Sequence, residues 1–447
     1  MLRRSAGVAS VLAAGLLLAA CSGGSTSSPA TPSASSSTFV ANCKSGATKI
    51  VFWAWVPGIS RAVAAYNASH PDTCVELADV GAGSPAYVKI ANALKAGNGA
   101  PDVAEVEYDE LPSFEITKNV IDLSKYGAAS VKDKFVPWVW DEVSSGSSIW
   151  AIPGDAGPMA LYYNSTLLTR YNVKPPATWD ELATTAASYH QANPQSYFTN
   201  FAASDLQWLL SMMAQAGAFP FRYPGGSNVT INFTGPAQTA FADYWDKLIS
   251  AKLVNVTSDV DATQFANLDK GVDATWMSSA WFPSYFGPAA QASVGAWRTA
   301  DLPQWTAGQS VAANWGGSSY PVFNQSKHPD KAAAFAIWLN ATDDAWNITK
   351  TAPSSLFPTY KPLLTDPSFQ NLTVPISGSA TPYVSFAKAA QNATAVQWPP
   401  FMTEALNQQA TAFQNVGTSQ TLKQAFAGFQ NTLVTYAKKQ GFTVSTS

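Results

Sequence analysis

The chain has 447 residues, which is enough for two or three domains, and 47% of them are hydrophobic, as in a globular protein. Only 12% are charged, and the net charge of −3 excludes the basic footprint of a nucleic-acid-binding protein, so we expect no nucleic-acid partner. Sixteen tryptophans are many, and we expect most of them to lie in cores.

The first 20 residues have the pattern of an export signal. Arg3 and Arg4 precede an apolar run, 8–18, that is too short to span a bilayer. The sequence Leu-Ala-Ala-Cys that ends at Cys21 resembles the lipobox of bacterial lipoproteins. That resemblance implies cleavage after residue 20, a lipid on Cys21, and a location on the outer face of a bacterial cytoplasmic membrane.

A segment of low complexity follows the signal. Residues 22–38 are only Ser, Gly, Thr, Pro and Ala, a composition that cannot bury enough apolar surface to fold. We therefore predict a flexible linker over 21–42.

The two remaining cysteines, Cys43 and Cys74, predict a disulfide, because an exported chain lies in an oxidising compartment. One precedes a predicted strand over 49–55 and the other opens a strand over 75–80, so parallel pairing of these strands brings the cysteines together. Two free thiols are the alternative.

Apolar strands and amphipathic helices alternate from residue 49 to residue 106, with the third strand predicted over 101–106. This β-α-β-α-β order predicts a parallel sheet with right-handed crossovers. Ligands of such sheets bind at the carboxyl ends of the strands. The residues predicted at these ends are Trp53, Trp55, Glu107, Tyr108 and Asp109.

The stretch 150–164, WAIPGDAGPMALYYN, places one carboxylate between two chain breakers. Pro153-Gly154 and Gly157-Pro158 predict that Asp155 lies on a tight loop, followed by a buried strand over 159–163. A polar side chain on such a loop is a common element of a site, and a structural strand–turn–strand is the alternative.

Further motifs follow at regular intervals. Thr178 and Glu181 form a predicted capping box at a helix start, and 271–281 predicts a strand followed by a helix start. Gly316 and its neighbour allow close approach of the backbone, either to a ligand or in a tight turn, before a short strand over 320–323. Helices are predicted from 329, from 402 and over 421–440.

Taken in order, these motifs resemble those of the bacterial extracellular solute-binding proteins of family 1, the maltose-binding-protein-like sugar-capturing components of ABC importers. The shared motifs are PDV at residue 101, the crossover at 150–164, PATWDEL at 176, and the pattern that ends in Trp281. Within that last pattern, Trp276 stands where the family has Met and Ala280 where it has Gly. The resemblance covers nearly all of residues 43–440.

The resemblance implies an α/β, two-lobed periplasmic-binding-protein fold of type II, in which each lobe is a sheet flanked by helices and the ligand lies in the interlobe cleft. The crossover at Pro153 and a return at Asn314 assign 43–153 with 314–360 to lobe 1, and 154–313 with 361–447 to lobe 2. The function implied is capture of a mono- or oligosaccharide and its delivery to the transmembrane subunits of an ABC importer, by a monomer without cofactor or metal.

Two kinds of side chain are expected to hold the sugar. Tryptophans stack on the apolar faces of sugar rings, and carboxylates accept hydrogen bonds from hydroxyls. The candidate ligand-binding residues are Trp55, Glu107, Tyr108, Asp155, Trp281, Trp315, Gly316 and Trp398. We expect at least one of the four tryptophans to be a core residue instead.

An exported carbohydrate-active hydrolase is the alternative from another class. It would need two carboxylates across the scissile bond, and the chain has several. The sequence contains no G-x-S-x-G elbow, no H-E-x-x-H and no Walker A motif, and its three histidines are scattered. We therefore expect a binding protein rather than an enzyme. A surface adhesin is a third possibility, and it predicts no two-lobed body.

Overall fold

Parallel strands and helices alternate at the start of the chain, as predicted. The structure, a computed structural model, describes residues 38–350 and 356–447. The predicted signal peptide, Cys21 and the linker up to residue 37 lie outside the described residues. The first elements are β1 (Thr38–Phe39), β2 (Thr48–Trp53), α1 (Ile59–Ser69), β3 (Thr73–Ala78), α2 (Ser84–Ala96) and β4 (Val103–Ala104).

These strands form one sheet in the order β1-β3-β2-β4. β2 is parallel to β3 and β4, and β1 is antiparallel to β3. Helix α1 buries Ile59, Ala62, Val63 and Tyr66, a spacing of three and four residues that places them on one face. Burial of that face fixes the helix on the sheet.

The predicted disulfide between Cys43 and Cys74 is confirmed, with the two Cα atoms 5.2 Å apart. Residues 38–42, assigned to the linker, are bound to the sheet edge in the structure. β1 pairs with β3, and the buried side chain of Asn67 donates a hydrogen bond to the Ala41 carbonyl at 2.9 Å. The same amide bonds the backbone N–H and C=O of Val75 on β3, so Asn67 ties the incoming segment to the sheet.

The third strand differs from the prediction over 101–106. It is two short strands, β4 and β5 (Val106–Glu107), which belong to different sheets. The break is at Glu105, whose carboxylate accepts hydrogen bonds from the backbone N–H groups of Trp55 and Val56, at 3.0 and 3.3 Å. The Glu105 side chain bonds the segment just after β2, and the chain then continues as β5 in the second sheet.

The elements that follow lead to the crossover. They are α3 (Leu111–Ile116), two 3₁₀ helices (Leu123–Tyr126 and Ala128–Lys134), α4 (Pro137–Glu142), β6 (Ser144–Ser145), β7 (Ser148–Ile149), β8 (Ile152–Pro153), β9 (Asp155–Ala156) and β10 (Met159–Asn164). The prediction that Asp155 lies on a loop is wrong, because it begins a short strand that pairs with residues 357–358. The predicted buried strand ending at Asn164 is confirmed, and the Asn164 side chain caps the next helix.

A second, five-stranded sheet follows the crossover. The elements are α5 (Ser165–Arg170), α6 (Trp179–Ala192), β11 (Tyr197–Phe201), α7 (Leu206–Gln215), β12 (Phe221–Arg222), β13 (Asn228–Ile231), α8 (Pro236–Ser250), β14 (Asn255–Val256), α9 (Ala262–Lys270), β15 (Asp273–Ser279), α10 (Phe282–Phe286) and β16 (Trp297–Ala300). The sheet order is β14-β11-β15-β10-β16, and all seven residues of β15 are buried. A strand buried on both faces forms the middle of this core.

The predicted capping box at α6 is only half formed. The Thr178 hydroxyl accepts the N–H of Glu181 at 3.2 Å, as predicted. The Glu181 carboxylate accepts from the N–H of Ala177 at 2.7 Å, one residue before the cap. Both interactions satisfy backbone donors at the helix start.

The last third of the chain returns to the first sheet region. Its elements are β17 (Ser318–Tyr320), α11 (Pro329–Ala341), α12 (Asp343–Thr349), β18 (Phe357–Pro358), α13 (Lys361–Leu364), α14 (Pro367–Gln370), a 3₁₀ helix (Pro375–Ser377), α15 (Tyr383–Asn392), α16 (Met402–Phe413), α17 (Leu422–Lys439) and β19 (Thr443–Ser445). β17 pairs antiparallel with β5 and β8. The strand predicted over 320–323 therefore begins two residues earlier, while Val322 and Phe323 form only isolated bridges.

Within 38–350 and 356–447, no helix combines the length and hydropathy needed to cross a bilayer. The same residues contain no group of three or more histidine, cysteine, aspartate or glutamate side chains placed to hold a metal ion.

Candidate functional site

A cleft of about 520 Å³ opens beyond the carboxyl ends of the parallel strands β2, β3 and β4, as the parallel topology predicts, and Trp55, Asp79 and Glu105 line it there. Six of the eight predicted site residues line it: Trp55, Glu107, Asp155, Trp281, Trp315 and Gly316. Tyr108 and Trp398 do not line this cleft. They border a separate cavity of about 10 Å³, which shares Glu107 and Gly316 with the cleft wall.

Two tryptophans form one wall of the cleft. The indole Nε1 of Trp281 donates a hydrogen bond to the Trp315 carbonyl at 3.0 Å, and the two rings meet edge to face at 4.6 Å. Trp315 itself is nearly buried, whereas Trp281 is half-buried and so retains a free surface. Tyr285 packs edge-on against Trp281 at 5.5 Å and is 53% exposed at the rim. This wall is therefore a fixed aromatic surface with an exposed end.

Two buried carboxylates form the floor. Besides the backbone bonds described above, Glu105 accepts a bond from the Ser318 hydroxyl at 3.3 Å, and Asp155 accepts one from the Ser318 N–H at 2.9 Å. Burial raises the pKa of Asp155 to about 7. The pKa of Glu105 is raised well above its usual value, first by burial and then by the charge of Asp155. These backbone and hydroxyl donors fix the direction of both side chains.

Glu107 stands between the cleft and the small cavity. The Tyr87 hydroxyl donates to its Oε2 at 2.9 Å, and the same hydroxyl accepts from the Glu107 N–H at 3.1 Å. Burial, and then the charge of Asp109, raises the pKa of Glu107 to about 8. Trp55 meets Tyr87 edge-on at 6.0 Å, so one tyrosine supports both a carboxylate and an indole of the cleft.

Tyr108 has a structural position rather than a place on the cleft surface. Its side chain is 2% exposed, and its hydroxyl donates to the Asp155 carbonyl at 3.0 Å. The bond connects the residue after β5 to the first residue of β9 and so holds the Asp155 backbone in place.

Trp398 is likewise packed away from the main cleft. Its Nε1 donates to Glu142 at 3.1 Å, and its ring meets Phe219 edge-on at 5.1 Å. Burial raises the pKa of Glu142 to about 8, although the backbone N–H of Val396 and the Trp398 indole partly offset that rise. Trp398 therefore forms part of the wall of the small cavity.

The glycines beside the cleft permit close approach between backbone segments of this chain, which neither interpretation named, and approach to a ligand stays a prediction. Gly317 has a φ of +110°, and a Cβ there would lie 2.9 Å from the Asp155 carbonyl oxygen. Across the crossover, a Cβ on Gly157 would lie 1.7 Å from the Trp315 carbonyl oxygen. The approach is thus between segments of this chain, and it forms the junction behind the aromatic wall.

The sequence did not point to six polar or aromatic residues that line the cleft: Asp79, Glu105, Asp205, Gln207, Tyr285 and Ser318. Glu105 lies inside a predicted strand, where alternation gave no sign of a chain break. Asp205 caps α7 by accepting the Trp208 N–H at 2.6 Å. An aspartate directly before a helical run is a sequence signal for such a cap. Gln207 donates to Asp109 at 2.7 Å and connects α7 to the segment after β5.

Residues 55–346 match the family model described as bacterial extracellular solute-binding protein. An arabinooligosaccharide-binding protein of Halalkalibacterium halodurans is 23% identical over 311 residues, which cover 67% of this chain and 69% of that protein. A lactose-binding protein of Rhizobium radiobacter is 24% identical over 317 residues, which cover 66% and 71%.

Two solved structures resemble this one over most of the chain. The ABC-transporter-associated binding protein of B. animalis subsp. lactis Bl-04, in complex with β-1,6-galactobiose, is 30% identical with a TM-score of 0.74, and the match covers 89% of this chain and 100% of that one. The galacto-N-biose-/lacto-N-biose I-binding protein of Bifidobacterium longum, in complex with lacto-N-biose, is 23% identical with a TM-score of 0.77, and the match covers 90% and 100%.

Proposed function

The chain belongs to the bacterial extracellular solute-binding protein family, and from that premise we propose that its cleft captures a mono- or oligosaccharide for delivery to an ABC importer. The protein is a binding protein and not an enzyme, as its family is, and nothing favours the hydrolase alternative. The observation that carries the proposal is a cleft that combines a tryptophan wall with fixed carboxylates, in a fold whose relatives are named for arabinooligosaccharides and lactose.

The fold is the two-lobed type II fold of periplasmic sugar-binding proteins, as expected. We assign 43–153 with 314–360 to lobe 1 and 154–313 with 361–447 to lobe 2, with residues 351–355 outside the described part. Pairing of β17 with β5 and β8 supports the return of the chain to lobe 1 near Asn314. Packing of α17 on α8 supports membership of the last helix in lobe 2.

On this assignment the cleft residues come from both lobes. Trp55, Glu107 and Asp155 belong to lobe 1 and the crossover, and Trp281 belongs to lobe 2. A sugar held by both sets gains contacts in the closed form that the open form lacks, so binding would favour closure. Indole rings would cover the C–H faces of the sugar, while carboxylates accept its hydroxyl hydrogens.

The family places the protein outside the cytoplasm. We further propose a monomer that is anchored to the outer face of the cytoplasmic membrane by a lipid on Cys21, after removal of residues 1–20. The support for the anchor is the order of basic residues, short apolar run and Leu-Ala-Ala-Cys in the sequence. Metabolic labelling with a fatty acid tests it, because Cys21→Ser should abolish the label and release the protein.

The test of sugar capture is a thermal-shift screen of the folded chain with lactose, β-1,6-galactobiose and arabinose oligomers. A ligand that binds only the native state raises the melting temperature. Small-angle scattering on any sugar that does so should show a smaller radius of gyration when it is bound. A screen in which no mono- or oligosaccharide shifts melting would overturn the proposal.

A further inference from the structure

We propose that the ligand of this cleft carries a positive charge, as a saccharide with a free amino group does. The inference rests on the proposed function and names the class of sugar within it. The cleft is identified as a site by its cavity, its tryptophans and the family. The carboxyl groups around it decide only the charge of what enters.

The first observation is a one-sided set of ionisable groups. The described residues that line the cleft include Asp79, Glu105, Glu107, Asp155 and Asp205, and no lysine, arginine or histidine. The small cavity beneath adds Asp109 and Glu142, again with no basic residue among its described lining. A ligand therefore meets acceptors on several sides and no protein cation.

The second observation is an open acceptor on a carboxylate of the cleft wall. Glu107 has only Oε2 bonded by Tyr87, and no other described group bonds its Oε1. An ammonium group offers three donors and needs no donor in return, whereas each sugar hydroxyl is also an acceptor. The open Oε1 of Glu107 could thus accept a hydrogen bond from an ammonium group.

The third observation is that an aromatic ring lines the same cleft as these carboxyls. Tyr285 at the rim shares the cleft lining with Glu105, Glu107 and Asp155, and burial followed by the charges of these carboxyls raises the pKa of its hydroxyl. Trp281 lies against it. A cation between these rings and the floor would gain attraction from the ring faces as well as from the carboxylates.

Burial of like charges gives the reason that a cation would be favoured. The carboxyls of the floor lie close enough that Asp155 raises the pKa of both Glu105 and Glu107. An ammonium group placed among them would lower the pKa of each carboxyl and so favour its charged form. A neutral sugar has no charge with which to do so.

The experiment is calorimetric titration with matched sugars that differ only in the substituent at C2 of each ring. Cellobiose, N,N′-diacetylchitobiose and the corresponding glucosamine disaccharide form one set, and galactose, N-acetylgalactosamine and galactosamine form another. Lactose and β-1,6-galactobiose are included as neutral disaccharides. We expect the amine of at least one set to bind 10-fold or more tighter than its hydroxyl and acetamido partners, which is the value of about one hydrogen bond to a charged group.

The preference for the amine should be smaller at 500 mM than at 50 mM salt, because salt screens the attraction between a charged ligand and the carboxylates. It should also fall in Glu107→Gln, a variant of nearly equal shape, but persist in Asp133→Asn, an exposed carboxylate on a 3₁₀ helix outside the cleft. A melting curve of each variant verifies that it is folded.

Equal or tighter binding of the hydroxyl member in every set would overturn the inference and leave sugar capture standing. So would tight binding of a neutral disaccharide with no amine effect. If no saccharide of any charge binds, the proposed function fails, and the inference fails with it.

Discussion

Replacement of Trp281 by alanine should weaken sugar binding with little loss of folding. The half-buried indole offers its free surface to the cleft, and burial of an aromatic side chain is worth about 1.5–3 kcal/mol. Loss of that contact corresponds to a roughly 10- to 150-fold weaker dissociation constant. Isothermal titration of Trp281→Ala with a sugar identified in the screen measures it.

The effect on stability should be small because the bond that Trp281 makes can be replaced. The Trp315 carbonyl also lies 2.8 Å from the Ser279 hydroxyl, so removal of the indole leaves that oxygen with a donor. The ring contact with Trp315 is lost, and we expect about 0.5–1.5 kcal/mol less free energy of unfolding in urea.

A matched control is Trp150→Ala. Trp150 is also half-buried, but it donates to Ser145 and does not line the cleft. Its removal should leave the affinity unchanged. Unchanged affinity in a folded Trp281→Ala protein would refute the assignment of this wall and place the sugar elsewhere.

Three further predictions concern stability. Reduction of the disulfide, or Cys43→Ser with Cys74→Ser, should lower the free energy of unfolding by roughly 3–4 kcal/mol, because the link closes a loop over a separation of 31 residues. Equal urea midpoints with and without reductant would contradict this. Gly157→Ala should destabilise by about 3 kcal/mol or more, since its Cβ would lie 1.7 Å from the Trp315 carbonyl oxygen, and a normal melting temperature would show that the junction relaxes. The ligand-free protein should melt at a lower temperature at pH 8 than at pH 5, because Asp155, Glu107 and Glu142 have folded pKa values of about 7, 8 and 8, above their unfolded values. Each is more protonated in the folded state over that range, so stability is lost as pH rises through those values. Glu142→Gln should flatten the dependence, and a melting temperature that rises from pH 5 to pH 8 would refute it.

Much of the scaffold could be predicted because its strands are short apolar runs bounded by turns. β2, β3 and β10 are rich in β-branched and aromatic residues, and the helices between them have one apolar face. The third strand could not be predicted correctly, because one charged residue between Ala104 and Val106 is also compatible with a continuous strand. Its division depends on a hydrogen bond to residues 50 positions away.

The candidate site shows the same distinction. Trp281 and Asp155 stand in local motifs, so their positions near the cleft followed from the sequence. Trp398 also follows a motif, yet contact with Glu142 and Phe219 places it at the small cavity instead. Tyr285 has no local signal at all, because its place at the rim depends on the packing of α10 beside the cleft. Long-range packing decides which aromatic rings are exposed to the cleft. The spacing of residues along one sequence does not reveal that packing.

The attachment of the amino-terminal segment has a mechanical consequence. Tension applied to the chain ahead of Thr38 would first act on the two residue pairs that join β1 to β3, and then on the Asn67 bond to the Ala41 carbonyl. These hydrogen bonds are weak and would break one after another. Detachment would stop at Cys43, because its disulfide transfers the force to Cys74 in the sheet. A pull from that end would therefore extend the chain by only about five residues, or roughly 17–18 Å, before it meets a bond that thermal forces do not break. From then on the load acts at the start of β3, whereas the cleft lies beyond the carboxyl end of β2.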